Sequence, residues 1–230
     1  LLPTVLRDWW GFFFGGEVPD PLKVAVIIDY QNIHLTARDT FTPRGTPAQD
    51  CLVHPLHFAN QVVQARSRIR AAAAMNGGEA SPSIVLDSVE VFRGQPSNHE
   101  QPKLYRFTQA HRSEWTKDRR VRVDYRTLRY FTENGVRAAQ EKGIDVRVAL
   151  AVVRAVTMKT ADIVILASHD TDLEPALEMS AEWGDGTVAI ETAGWAGCRR
   201  LRARGLTLDH IVLDGGAFVN SRDRKIYDRT

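Results

Sequence analysis

Cysteine is scarce in this sequence: its 230 residues hold two, Cys51 and Cys198, far apart and outside any C-x-x-C spacing. That disfavours a disulfide framework and a thiolate zinc site, and fits a reducing cytoplasm. An excess of one charge is also lacking, since 30 lysines and arginines face 28 aspartates and glutamates for a formal +2. Total charge therefore implies no nucleic-acid partner, and any such argument must come from where the charges lie. No run approaches the roughly 20 apolar residues of a membrane span, and no basic leader precedes the apolar start, so neither membrane insertion nor secretion is expected. There is no internal repeat, and no low-complexity tract beyond the helix-filling alanines Ala71 to Ala74.

What is present, 43% hydrophobic and 25% charged residues, suits one globular domain with a sizeable core. The chain opens on Leu1 rather than methionine, as a trimmed piece would, and its first residues carry little weight. Within residues 1–22, Trp9, Trp10, Phe12, Phe13 and Phe14 are too apolar to leave in water. They should dock on the domain itself, or else form a homodimer or meet a protein partner.

From Lys23 onward, apolar runs alternate with helical patterns. Val24 to Ile28, "SIVLDSVEVFRG", "VRVDYRTL", "DIVILAS", "TVAIETAG" and "HIVLDG" read as strands, several of them apolar throughout. A helix is expected from about Asn32, and others over "HPLHFANQVVQARSRIRAAAAM", Leu104 to Trp115, "VRVALAVVRAV" and "TDLEPALEMSAEW". Such alternation predicts an α/β domain whose parallel sheet is covered on both faces, with ligands bound beyond the carboxyl ends of the strands. Residues 214–230, which include "NSRDRKIYDRT", read as a polar tail, either mobile or an appendage.

That rim is where the acidic residues fall. Asp29 ends the first strand, and Asn32 can reach the same side across the turn. Asp170 and Asp172 leave the strand "DIVILAS", and Asp145 stands between a glycine turn and a helix. Each has a bland reading as a helix cap, and Thr171-x-x-Glu174 is a capping box. Capping does not explain why all five should converge on one rim. Asp162, at the start of its strand, is roughly 20 Å from Asp170 and cannot join them. Hard oxygen ligands without thiolates or paired histidines suit Mg²⁺ or Mn²⁺, and the chemistry implied is metal-assisted phosphoester hydrolysis.

At "VIIDYQNI", "EKGIDVRVAL" and above all "ADIVILASHDTDLEPALE" the sequence resembles the NYN domain family, a branch of the PIN-like nucleases, in its LabA-like form. The likeness runs from about Lys23 to Gly194. It implies a three-layer α/β/α sandwich with a central parallel sheet, a nuclease domain over about 23–213, an acidic metal pocket and endoribonuclease activity. Asp29 and Asn32 match the first motif, Asp145 the second, and Asp170 and Asp172 the third. Relatives often carry another aspartate where this chain has Ala151, and His169 stands where a small or polar residue is common.

Positive charge gathers between Lys103 and Arg137, including Arg122, Arg126 and Arg129, with Tyr105, Trp115, Tyr125 and Tyr130 interleaved. Those rings could stack unpaired bases, or lie in the core beneath a solvated surface. Lys142, beside the second acidic motif, is the cation best placed to meet a phosphate. His54 and His57 share a helical face, but two histidines without a third ligand make a poor metal site. The expected function is a cytoplasmic Mg²⁺- or Mn²⁺-dependent ribonuclease acting on single-stranded or loop RNA. The alternatives are a noncatalytic RNA-binding or scaffolding module, to which Ala151 lends weight, and a phosphatase on small phosphoesters.

Overall fold

The computed structural model describes residues 20–77, 82–133 and 135–227. The aromatic cluster of the expected 1–22 extension, and with it the expected homodimer or partner contact, lies outside the described residues.

The chain runs β1 (Leu22–Asp29), α1 (Tyr30–Phe41), α2 (Pro55–Met75), β2 (Ile84–Gln95), α3 (Pro102–Trp115) and β3 (Val121–Thr127). It continues through β4 (Arg129–Glu133), β5 (Val136–Gln140), α4 (Ile144–Thr157), β6 (Ile163–Ala167), α5 (Glu174–Trp183), β7 (Ala189–Trp195), β8 (Asp209–Leu213) and α6 (Gly215–Ser221). The large sheet has the order β3-β2-β1-β6-β7-β8, and all five of its pairings are parallel. The continuous apolar runs of β1 and β6 follow from this placement: they are the inner strands, covered on both faces. Val24, Val26 and Ile28 turn toward a cluster with Ile33, Phe58, Val62, Trp195 and Phe218. Ile27 turns the other way, toward Val148, Val152, Leu173 and Leu177. These two cores make the three-layer sandwich.

One segment to which the sequence assigns no element is folded, and another departs from its expectation. Arg129–Gln140 contains an antiparallel hairpin, β4–β5, separate from the large sheet. An isolated hairpin is marginal in water, and this one is tied down by its aromatic and basic residues. The Tyr130 hydroxyl accepts from the Ser97 amide at 2.9 Å and donates to Gln101 at 3.1 Å, while Arg137 pairs with Glu100. Of the C-terminal segment, expected to be mobile or an appendage because it is polar, the described residues to Tyr227 are tied onto the fold. Asp223 accepts from the Trp115 indole at 2.8 Å and from the Tyr227 hydroxyl at 2.6 Å, and Tyr227 is 5% exposed. One buried ring and one carboxylate acceptor outweigh the polarity of their neighbours.

Tyr227 and Phe107 stand edge-on to His111, which stacks on Trp115. Neither ring nitrogen of His111 has a hydrogen-bond partner among the described residues. Burial first, and then the nearby Arg93 guanidinium, lower its pKa to about 3, with Asp223 opposing and His34 adding slightly. A histidine held neutral in the fold gives stability that is complete above its ordinary pKa of 6.5 and is lost as pH falls from there toward 3. At roughly 1.4 kcal/mol per pH unit the loss at pH 5 is about 2 kcal/mol. His111→Phe is therefore expected to flatten the acid limb of a urea-unfolding series between pH 7 and 5. An unchanged limb would show that His111 is not the group responsible.

Candidate active site

The site is built at the carboxyl ends of β1 and β6, which are hydrogen-bonded neighbours. Asp29 is the last residue of β1 and only 4% exposed. Its Oδ1 accepts from the Asn32 amide at 3.5 Å, and its Oδ2 accepts from the Ser168 hydroxyl at 2.9 Å. One oxygen thus caps α1 and the other reaches across to the exit of β6. Ser168 also accepts from the Asp170 amide at 3.1 Å, so one buried hydroxyl links the two acidic motifs. Asp170 caps the short 3₁₀ turn Thr171–Leu173 by accepting from the Asp172 amide at 3.0 Å.

For Asp145 the structure corrects the cap reading. Gly143, held at φ +74°, is the N-cap of α4, and Asp145 lies in the first turn. The Thr171-x-x-Glu174 box is not formed either: Asp170 is the cap, and Glu174 accepts from the Arg202 amide at 3.0 Å. With Asp145 not needed as a cap, Asp29, Asp145 and Asp170 each bring a carboxylate oxygen to within 4.8 Å of the others. Asp172 is exposed and outside that group, but it acts with Asp170 to push the Asp145 pKa up. Asn32 ties α1 to the loop after β6, its side-chain oxygen accepting from the His169 amide at 2.8 Å. Asp162 sits at the far end of β6, where it accepts from the Lys23 amide at 2.7 Å.

Burial, more than charge crowding, shows in the ionisation. Burial raises the Asp29 pKa to about 7, against the lowering effect of its bonds to Ser168 and Asn32, while Asp145 and Glu141 add smaller upward pushes. Burial also leads the upward shift of Asp145. Three carboxylates this close cannot all stay ionised cheaply without protons or a cation between them. Their hard-oxygen chemistry fits a divalent ion such as Mg²⁺ or Mn²⁺.

Sequence reasoning passed over Glu141 and the role of His169. Glu141 accepts from the Gly94 amide, and a Cβ on Gly94 would come within 2.5 Å of it, so glycine lets the strand and the β5–α4 turn meet. Burial raises its pKa too. His169 accepts from the Trp195 amide at 3.1 Å through Nε2, which puts its proton on Nδ1, and it donates from there to the Arg199 carbonyl at 2.8 Å. With both nitrogens engaged it clasps the β6 and β7 exits together. The motif "SHD" gives no sign of this, because the partners are backbone atoms far along the chain.

The cations divide. Lys142 is exposed on the turn before α4, and the Arg126 guanidinium lies against that turn, 3.3 Å from where a Gly143 Cβ would stand. Arg129 is exposed on the hairpin, and Arg122 lines a cleft of about 650 Å³ along the β3 edge. Of the four rings, Trp115 is buried, Tyr125 donates to the Thr108 carbonyl at 2.7 Å and Tyr130 anchors the hairpin. His54 and His57 stack on each other with centroids 4.1 Å apart.

A central parallel sheet with an acidic cluster at its carboxyl rim defines an α/β protein of PIN-like architecture. The sequence profile of the NYN domain matches residues 23–192, and the chain belongs to that family, whose members are generally nucleases. A crystal structure of a protein of unknown function from Vibrio parahaemolyticus is similar at 15% identity and a TM-score of 0.47, covering 86% of this chain and 96% of that one. No curated protein matches. No helix among the described residues is long and apolar enough to cross a membrane.

Proposed function

We propose that this chain is a cytoplasmic Mg²⁺- or Mn²⁺-dependent endoribonuclease that hydrolyses phosphodiester bonds in single-stranded or loop RNA. The observation that carries this reading is the approach of Asp29, Asp145 and Asp170, from three separate motifs, to within 4.8 Å of one another. Those three would hold the ion directly, and Asp172 through a water. When bound, such an ion activates water and offsets charge on a phosphodiester during in-line attack. The Asn32 side-chain oxygen is fixed on the His169 backbone, and its Nδ2 would be the group to donate to a water or a phosphate. Lys142, Arg126, Arg129 and Arg122 would carry the RNA backbone.

The binding-only alternative leaned on Ala151. That side chain is 5% exposed in the apolar cluster with Ile27 and Val148, and the three carboxylates meet without it. Chelation is expected to abolish cleavage of a labelled stem-loop RNA, and Mg²⁺ or Mn²⁺ to restore it. Cleavage indifferent to chelator would refute the metal role. Turnover of a generic phosphomonoester with RNA left intact would favour the phosphatase.

A further inference from the structure

Strand β2 continues past the carboxylate rim. Asp29 pairs in register with Phe92, so Arg93 and Gln95 extend beyond it on the neighbouring strand, facing α1 and α3. The Arg93 guanidinium sits in an aromatic cage, 4.7 Å from the Tyr30 centroid, 5.8 Å from Trp115 and 6.0 Å from Tyr125. Its Nε and one Nη are buried with no hydrogen-bond acceptor among the described residues. The side-chain nitrogen of Gln95, two residues on and on the same face, is likewise buried without an acceptor among the described residues. From α3, Arg112 places a second guanidinium 5.8 Å from the same Tyr125 ring, and it lines the edge cleft together with Gln95.

Neither arginine has an ion pair among the described residues. Glu141 feels the Arg93 charge, but its carboxylate is turned to the Gly94 amide, and Asp223 is occupied by Trp115 and Tyr227. Half-buried cations and donors of this kind are costly unless an acceptor completes them. The π faces supply part of that, and they fix the guanidinium in place.

We propose that Arg93, Gln95 and Arg112 form a subsite for a phosphate group of RNA, one strand over from the acidic cluster. A phosphate offers acceptors to all three donors, and arginine matches its geometry with two parallel bonds. The inference rests on the RNA reading above for its substrate but not on the metal. The phosphate belongs either to an internal linkage or to a 5′ end.

Binding of a labelled single-stranded RNA in EDTA, followed by anisotropy across a salt series, tests it. Arg112→Gln, at an exposed position, should weaken binding about tenfold and reduce the salt slope by about one. Arg93→Lys keeps the charge and loses the fork, and should weaken binding as well. If a 5′-phosphorylated RNA loses more than its 5′-hydroxyl twin, the subsite holds the terminus; equal losses assign an internal phosphate. Binding within twofold of wild type in both variants overturns the proposal, even where metal-dependent cleavage is intact. Loss of binding in the variants of a protein that never cleaves leaves the subsite standing and refutes the nuclease. A wild-type chain that binds no RNA overturns both.

Discussion

Asp29→Asn is expected to raise the stability of the metal-free protein at pH 8 while lowering RNA cleavage by about a thousandfold or more. The two effects share one cause. Asp29 is 4% exposed and its pKa is raised from 3.8 to about 7, chiefly by burial. The folded state therefore holds its proton more tightly than the unfolded chain does. Stability is complete below the ordinary pKa, falls as pH rises toward 7, and stays low above it. Asparagine keeps the shape and an acceptor oxygen without the charge, so the gain at pH 8 is on the order of a few kcal/mol, and near pH 4 it vanishes. On the function proposed above, the activity loss would follow from removing a charge that holds the ion, which would supply several kcal/mol of transition-state stabilisation. Melting curves in EDTA at the two pH values, beside cleavage rates in Mg²⁺, check both. A variant equally destabilised at both pH values would show that Asp29 is an ordinary structural carboxylate.

The second large effect lies away from the rim. Arg66 of α2 and Glu191 of β7 are 7% and 3% exposed, and they meet through three hydrogen bonds of 2.7 to 2.9 Å. Arg66→Met leaves the carboxylate buried without its partner, which costs about 3–5 kcal/mol. Arg70, 3.9 Å from Glu191 and paired with Asp209, softens the loss toward the lower figure. Adding Glu191→Leu to Arg66→Met should recover most of it, because two apolar side chains then replace an ion pair whose desolvation offset much of its attraction. Urea midpoints of the single and double variants measure this. A single variant within 1 kcal/mol of wild type would mean that water reaches Glu191.

These two positions show what can be read in a sequence and what cannot. Val24 to Ile28 and "DIVILAS" announced buried parallel strands because inner strands need apolar residues on both faces, and the rim residues then followed from strand polarity. Arg66 gave no such sign. It is one of three arginines in "QARSRIRAAAAM", and the one that turns inward depends on a glutamate 125 residues away. The hairpin had a signal in "ENGV", where Asn-Gly between extended runs marks a tight turn. It was obscured because β4 and β5 carry no apolar face of their own. Asp145 looked like a cap because aspartate is common there, and only the left-handed Gly143 shows otherwise.

The strand order has a consequence for synthesis. Strand β1 pairs with β2 on one side and with β6 on the other, and β6 ends 138 residues after Asp29. As the chain leaves the ribosome, one flank of Val24–Ile28 stays bare until Ile163–Ala167 has followed, an open apolar edge that invites wrong pairing. The Ser168 hydroxyl that steadies Asp29 arrives at the same moment. A chain that stops short of β6 thus has a bare apolar edge and lacks Asp170, so neither the inner sheet nor the acidic cluster exists until that strand has followed.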